Sequence, residues 1–155
     1  MTRDNYSNMK FFQAYIPQNT TGVAGNGLEI DLQGFEAVTL VFNIGTNASV
    51  STASYIDLIL QHGLLESDAG ASAWSLVPAS QMIHSVYNGL STTSTGLVKR
   101  IGDSSLGSTT YIVGYKGKAR YLRVRQSVTA AEESCLLGCM AILGLPANWP
   151  VNEPA

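Results

Sequence analysis

Two cysteines, two histidines, a Gly-Asp-Ser triplet and one acidic loop are where this 155-residue sequence could do chemistry. A serine nucleophile needs a base within hydrogen-bond reach. Gly102-Asp103-Ser104 offers the hydroxyl, but both histidines, His62 and His84, precede it and no downstream Asp-x-x-His follows. The triplet therefore reads as a polar turn between strands. Cys135 and Cys139 stand four apart, and the histidines lie 22 residues apart, which is not a converging metal-ligand spacing. On a strand the two cysteines would sit roughly 13 Å apart, too far for a disulfide, so buried free thiols are expected. Glu66 and Asp68 share one loop without the ligand density of a calcium binder. Gly22 to Gly27 lacks the order of a dinucleotide-binding turn and reads as a connector. The expectation is a protein that is not an enzyme and holds no cofactor or metal.

One charge feature is not random. Lys116, Lys118, Arg120, Arg123 and Arg125 place five of nine cations within ten positions. Arg123 and Arg125 share a strand face with Tyr121, opposite Leu122 and Val124. A solvated outer face, a protein interface and a phosphate-binding surface all fit that pattern. The net charge of −2 counts against nucleic acid. As a candidate protein interface the cluster is joined by the isolated aromatics Phe11, Phe12, Tyr15 and Trp149.

Only 13% of residues are charged, and Ser, Thr, Asn, Gln and Gly fill the gap beside an ordinary 45% apolar share. That composition excludes a disordered tail and a long helical bundle. Residues 1–15 contain no apolar core of a secretory signal, and Cys135 to Leu145 is about half a membrane-spanning helix. Folding in a cytosol, with no membrane partner, is expected.

The elements that must position these residues are short alternating runs. They include Leu28 to Leu32, with Leu28, Ile30 and Leu32 on one face; Glu36 to Ile44, with Val38, Leu40, Phe42 and Ile44 inward; and Tyr55 to Gln61. Phe11 to Ile16 predicts a first strand ended by Pro17, and Trp74 to Val77 a short one halted by Pro78. Ala79 to His84 fits a helical turn or a short strand, and Tyr87 to Gly96 a Ser/Thr-rich loop. Leu97 to Ile101 and Thr109 to Tyr115 follow. Lys116-Gly117-Lys118 predicts a tight hairpin into Arg120 to Val128. Ser134 to Leu143 is apolar on both sides, as in a central strand covered from two directions. The sum is all-β: an antiparallel β-sandwich of jelly-roll type with eight or nine strands, a closed barrel being the alternative. A single domain spans 21–145. Residues 1–20 form an N-terminal arm and possible first strand, and 146–155 an extended tail.

Several segments together resemble small virion proteins of tailed phages and prophages. They are the stretch from Gly27 to Thr39, Leu58-Ile59-Leu60-Gln61, Glu66-Ser67-Asp68 with Trp74-Ser75-Leu76-Val77, and Leu143-Gly144-Leu145-Pro146. The most specific piece is Gly114-Tyr115-Lys116-Gly117-Lys118-Ala119-Arg120-Tyr121-Leu122-Arg123-Val124. The resemblance implies a jelly-roll decoration (cement) protein on the outside of a phage head. Its partners would be the major capsid protein and itself, in a small cyclic oligomer with a trimer favoured. It would be made in the bacterial cytoplasm and end on the capsid surface. A head–tail connector or tail component, and a carbohydrate-binding sandwich for host attachment, are the alternatives.

Overall fold

A computed structural model describes residues 8–63, 74–84, 95–129 and 134–146. Glu66, Asp68, Tyr87, most of the 87–95 loop, and the tail with Trp149 lie outside the described residues. Eleven strands are described: β1 (Lys10–Thr21), β2 (Gly25–Asn26), β3 (Ile30–Asp31), β4 (Phe35–Ala48), β5 (Ile56–Gly63) and β6 (Ser75–Leu76), then β7 (Met82–His84), β8 (Leu97–Ile101), β9 (Thr109–Tyr115), β10 (Tyr121–Val128) and β11 (Ser134–Pro146). They exceed the expected eight or nine because β2 lies in a segment that reads as a connector and β7 in one that reads equally as a helical turn.

The strands form two antiparallel sheets. The five-stranded sheet runs β1-β11-β4-β9-β7, and the six-stranded sheet runs β2-β10-β5-β6, with β3 also on β10 and β8 also on β5. Taking β2 with β3 as one strand and omitting β6 and β7, the eight principal strands order as 1-8-3-6 over 2-7-4-5. That is the jelly-roll order of two Greek keys, and the separate sheets make it a sandwich. Successive principal strands change sheet at every step except β5 to β8.

That rule corrects one expectation. Residues 116–120 are not a hairpin turn: β9 pairs with β4 and β7, whereas β10 pairs with β5. The segment crosses from one sheet to the other. Gly117 passes over the Tyr115 ring, where any side chain would collide with the Tyr115 hydroxyl. The Lys116 N–H bonds the Gln81 carbonyl at 2.9 Å, and the Leu32 N–H the Arg120 carbonyl at 2.8 Å. A hairpin and a crossover need equally short linkers, so length did not separate them.

The core lies between the sheets. Leu40, Phe42, Ile56, Leu58, Leu60, Leu122 and Val124 are fully buried, as alternation required. Leu28 is a correction: it is 43% exposed. Its N–H bonds the Ala14 carbonyl in the other sheet at 2.9 Å, so the pairing with β10 made at Gly25–Asn26 is interrupted and resumes only at Ile30. Pro17 does not end β1. The strand is the edge of its sheet and runs past Pro17 through a register shift between Tyr15 and Gln18, where no N–H is required. The 79–84 segment is both predicted forms in turn, a 3-10 turn at Ala79–Gln81 and then β7. Cys135 and Cys139 are buried free thiols. Burial pushes the Cys135 thiol up to about 11 and Cys139 higher still, so both are unreactive.

Candidate interaction surfaces

The basic cluster is divided by the crossover. Lys116 and Lys118 are exposed at one end of the sandwich, beside a cleft of about 530 Å³ that Glu36 and Arg120 also line. Arg120 forms a two-pronged pair with Asp31, at 3.1 and 2.8 Å, which holds that carboxyl below its usual range. Its guanidinium also lies 4.9 Å from the centroid of the Tyr121 ring.

Arg123 and Arg125 lie on the outer side of the six-stranded sheet. Arg123 donates to the Gln61 side chain at 2.9 Å and rests 4.2 Å from the Trp74 ring centroid. Burial lowers its affinity for a proton. Across the same sheet Arg100 meets Asp57 through two 2.8 Å bonds and stacks 3.5 Å over Tyr55. Register explains these pairs: Arg123 stands opposite Gln61, and Asp57 opposite Arg100. Of the five cluster cations, Arg120 and Arg123 are therefore engaged within the chain.

The aromatics separate as well. Tyr15 is 2% exposed, and its hydroxyl donates to Gln126 across the sandwich at 3.4 Å. Tyr121 is 6% exposed and Phe12 packs on the core. Tyr15 and Tyr121 therefore offer no face to a partner, and Phe12 is partly buried against its own core. Burial of Tyr121 also removes one of the platforms a glycan binder would use. Phe11 is 49% exposed, at the edge of the five-stranded sheet.

That sheet's outer side carries the residues that charge and motif reasoning passed over. Register aligns Phe11, Ile142, Thr39, Gly114 and Ile83 in one row. The next row holds Gln13, Met140, Val41 and Ile112, and the next Gly138, Asn43 and Thr110. No position in these rows is Asp, Glu, Lys or Arg. Ile83, Ile112, Leu136 and Met140 are 44–55% exposed. A hollow of about 430 Å³ lies among Gln13, Pro17, Asn43, Leu136 and Met140, with Pro17 packed over Gly138 and Leu136 over Gly45. The available signal was the two-sided apolarity of β11, which the sequence reading took to mean cover from both directions within the chain.

At the turn end, Asp103 caps the 3-10 turn Ser104–Leu106 by accepting the Ser105 N–H at 2.8 Å, which lowers its carboxyl. His62, at the end of β5, holds Nδ1 2.9 Å from the Tyr115 hydroxyl. That hydroxyl already accepts the Ala119 N–H at 3.3 Å. Between Nδ1 and that hydroxyl either group can donate, according to the imidazole tautomer. Burial favours the neutral ring and lowers the His62 pKa.

No family model matches the chain, and no curated protein matches its sequence. Among solved structures it is similar to a chain in the crystal structure of the infectious bursal disease virus VP2 subviral particle. That likeness has a TM-score of 0.38 and 12% identity, and covers 92% of this chain and 33% of that one. A structure of the infectious bursal disease virus Gt strain follows, with a TM-score of 0.26 and 11% identity over 97% of this chain and 47% of that one. This chain thus spans about a third to a half of the length of the viral chains it matches. At such values neither likeness bears on what this chain binds or does.

Proposed function

We propose that this chain is a virion structural protein, a decoration (cement) protein that binds the outside of a phage head and stabilises contacts between shell subunits. The observation that carries the reading is the outer side of the five-stranded sheet, whose three central rows are apolar in part and hold no charged residue, with Glu36 and Lys116 at their border. Cores of protein interfaces have that character, being depleted in charged residues. The segments from Gly27 to Pro146 that resemble phage virion proteins support the choice of partner, and the jelly-roll order suits it. The partners in this reading are the major capsid protein and further copies of the chain. Modest contacts repeated by symmetry then add up to firm attachment.

The test is titration of purified protein onto expanded capsids that lack it. Saturation at a fixed ratio to the shell subunit is expected; binding that never saturates contradicts the proposal. A copy number in purified virions far below that of the shell protein would point instead to a head–tail connector.

A further inference from the structure

The cleft beside the crossover has two kinds of wall. Leu32, Val38 and Tyr115, buried ends of the core, line it together with Phe35, while Lys116 and Lys118 stand exposed at its margin. The lysines sit on a fixed backbone. The Lys116 N–H is bonded to the Gln81 carbonyl at 2.9 Å, the Ala119 N–H to the Tyr115 hydroxyl at 3.3 Å, and the Arg120 carbonyl to the Leu32 N–H at 2.8 Å. Arg120 is balanced by Asp31, whereas neither lysine has an ion-pair partner among the described residues. Glu36, on the same cleft, offsets one lysine, which leaves one positive charge in excess.

β11 delivers the chain to this cleft. Its last residues pair with the β4 residues that line it, Leu143 with Val38 and Pro146 with Phe35. Leu145 has φ 50°, a left-handed conformation that costs an ordinary residue energy and breaks the extended course one residue before the strand ends. The sequence continues as Ala147-Asn148-Trp149-Pro150-Val151-Asn152-Glu153-Pro154-Ala155, with no Lys or Arg, one acidic side chain and one large ring. We infer that residues 147–155 bind back into the cleft of their own chain, Trp149 against its apolar wall and Glu153 at Lys116 and Lys118.

Reach, charge and volume agree with that occupant. Nine residues extend over roughly 30 Å, and they start beside the lining residue Phe35. Glu153 supplies the single negative charge that the cleft lacks. Trp149 and Glu153 each precede a proline, which biases them to extended backbone and separates ring from acid by up to about 13 Å. The two therefore take different parts of the cleft. Its volume of about 530 Å³ is that of sites for drug-sized ligands, with room for an indole and the neighbouring proline. Tethering raises the local concentration of such a segment to the order of millimolar, so a contact too weak to join separate molecules suffices. The bound segment closes the end of the sandwich over Leu32, Val38 and Tyr115. The inference is independent of the decoration reading, and its test involves no capsid.

The experiment is acrylamide quenching of Trp149 fluorescence in the full chain carrying Trp74→Phe, which leaves Trp149 as the sole tryptophan. Quenching several-fold weaker than that of N-acetyltryptophanamide is expected, and equal at low and high chain concentration. Lys116→Glu with Lys118→Glu is expected to raise it to nearly the free value, with an unchanged β-sheet circular dichroism spectrum. Free-like quenching before the lysines are changed overturns the inference, as does protection that survives the double charge reversal. Protection that appears only at high concentration overturns it too, because the segment then sits in another copy. If Trp74→Phe loses its fold, the wild-type chain labelled with 5-fluorotryptophan gives the same reading. The fluorine resonance of Trp149, assigned through Trp149→Phe, should then lack the shift between light and heavy water that an exposed ring shows, and a full shift overturns the inference.

Discussion

On β4 and β11 the outward positions hold Val41, Asn43, Met140 and Ile142; on β5 and β10 they hold Asp57, Gln61, Arg123 and Arg125. Both sets come from alternating strands over one shared core, so the inward halves are alike and only the outward halves differ. The six-stranded face satisfies itself: Arg100 with Asp57 and Arg123 with Gln61 are pairs closed within the chain. On the five-stranded face Thr110 donates to Asn43 at 3.1 Å, and the rows beside that pair are mostly apolar. That face leaves apolar side chains half exposed around a hollow, an arrangement that soluble monomers keep small unless it binds something. The difference teaches that a cationic cluster in sequence can be partly structural, while rows that carry no charge are the ones left exposed to a partner.

The largest expected effect separates the two sides of β4. Phe42→Ala, inside, should lower the unfolding free energy by about 3–5 kcal/mol, and Val41→Ala, outside, by about 1 kcal/mol or less. Urea denaturation at dilute concentration measures both, and similar costs would mean that the outer side is covered within one chain. Next comes Tyr15→Phe, which removes the hydroxyl from buried Gln126. About 1 kcal/mol should be lost, with no change in the mass of the assembly. On the six-stranded face, Asp57→Ala should cost about 0.2–1 kcal/mol and lose its effect as salt is raised. The smallest effect is that of pH. His62 has a lowered pKa in the folded chain, so its neutral form contributes stability that is complete above the unfolded value of about 6.5. That contribution is lost as pH falls from there toward the folded value. Thermal melting across that window, compared with His62→Gln, should show the slope in the wild type only. Asp31 and Asp103, whose pKa values are lowered, act in a separate window, their contribution being lost only below about 4.

The core strands were legible because burial on one side imposes a period of two: Val38, Leu40, Phe42 and Ile44 point inward as read. Leu28 was not, since alternation continues past the point where its backbone N–H turns to Ala14. The crossover at 116–120 was not legible either, because the choice between sheets is made by partners distant in sequence, Gln81 and Leu32. The same holds for the surfaces. The five cations were visible, but not that Asp31 and Gln61 would engage two of them. The two-sided apolarity of β11 was visible too, and only the sheet order shows that no element of the described chain lies over its outer side.

Hydroxyl-radical footprinting of the wild-type chain, free and bound to expanded capsids that lack it, reads both faces in one measurement. The expected result is protection confined to Phe11, Ile112, Leu136 and Met140, with Met140 sulfoxide formation falling most, while Ile59 stays as reactive as before. Protection on the six-stranded face, or none on either face of the capsid-bound chain, would contradict the assignment of the five-stranded face as the binding face.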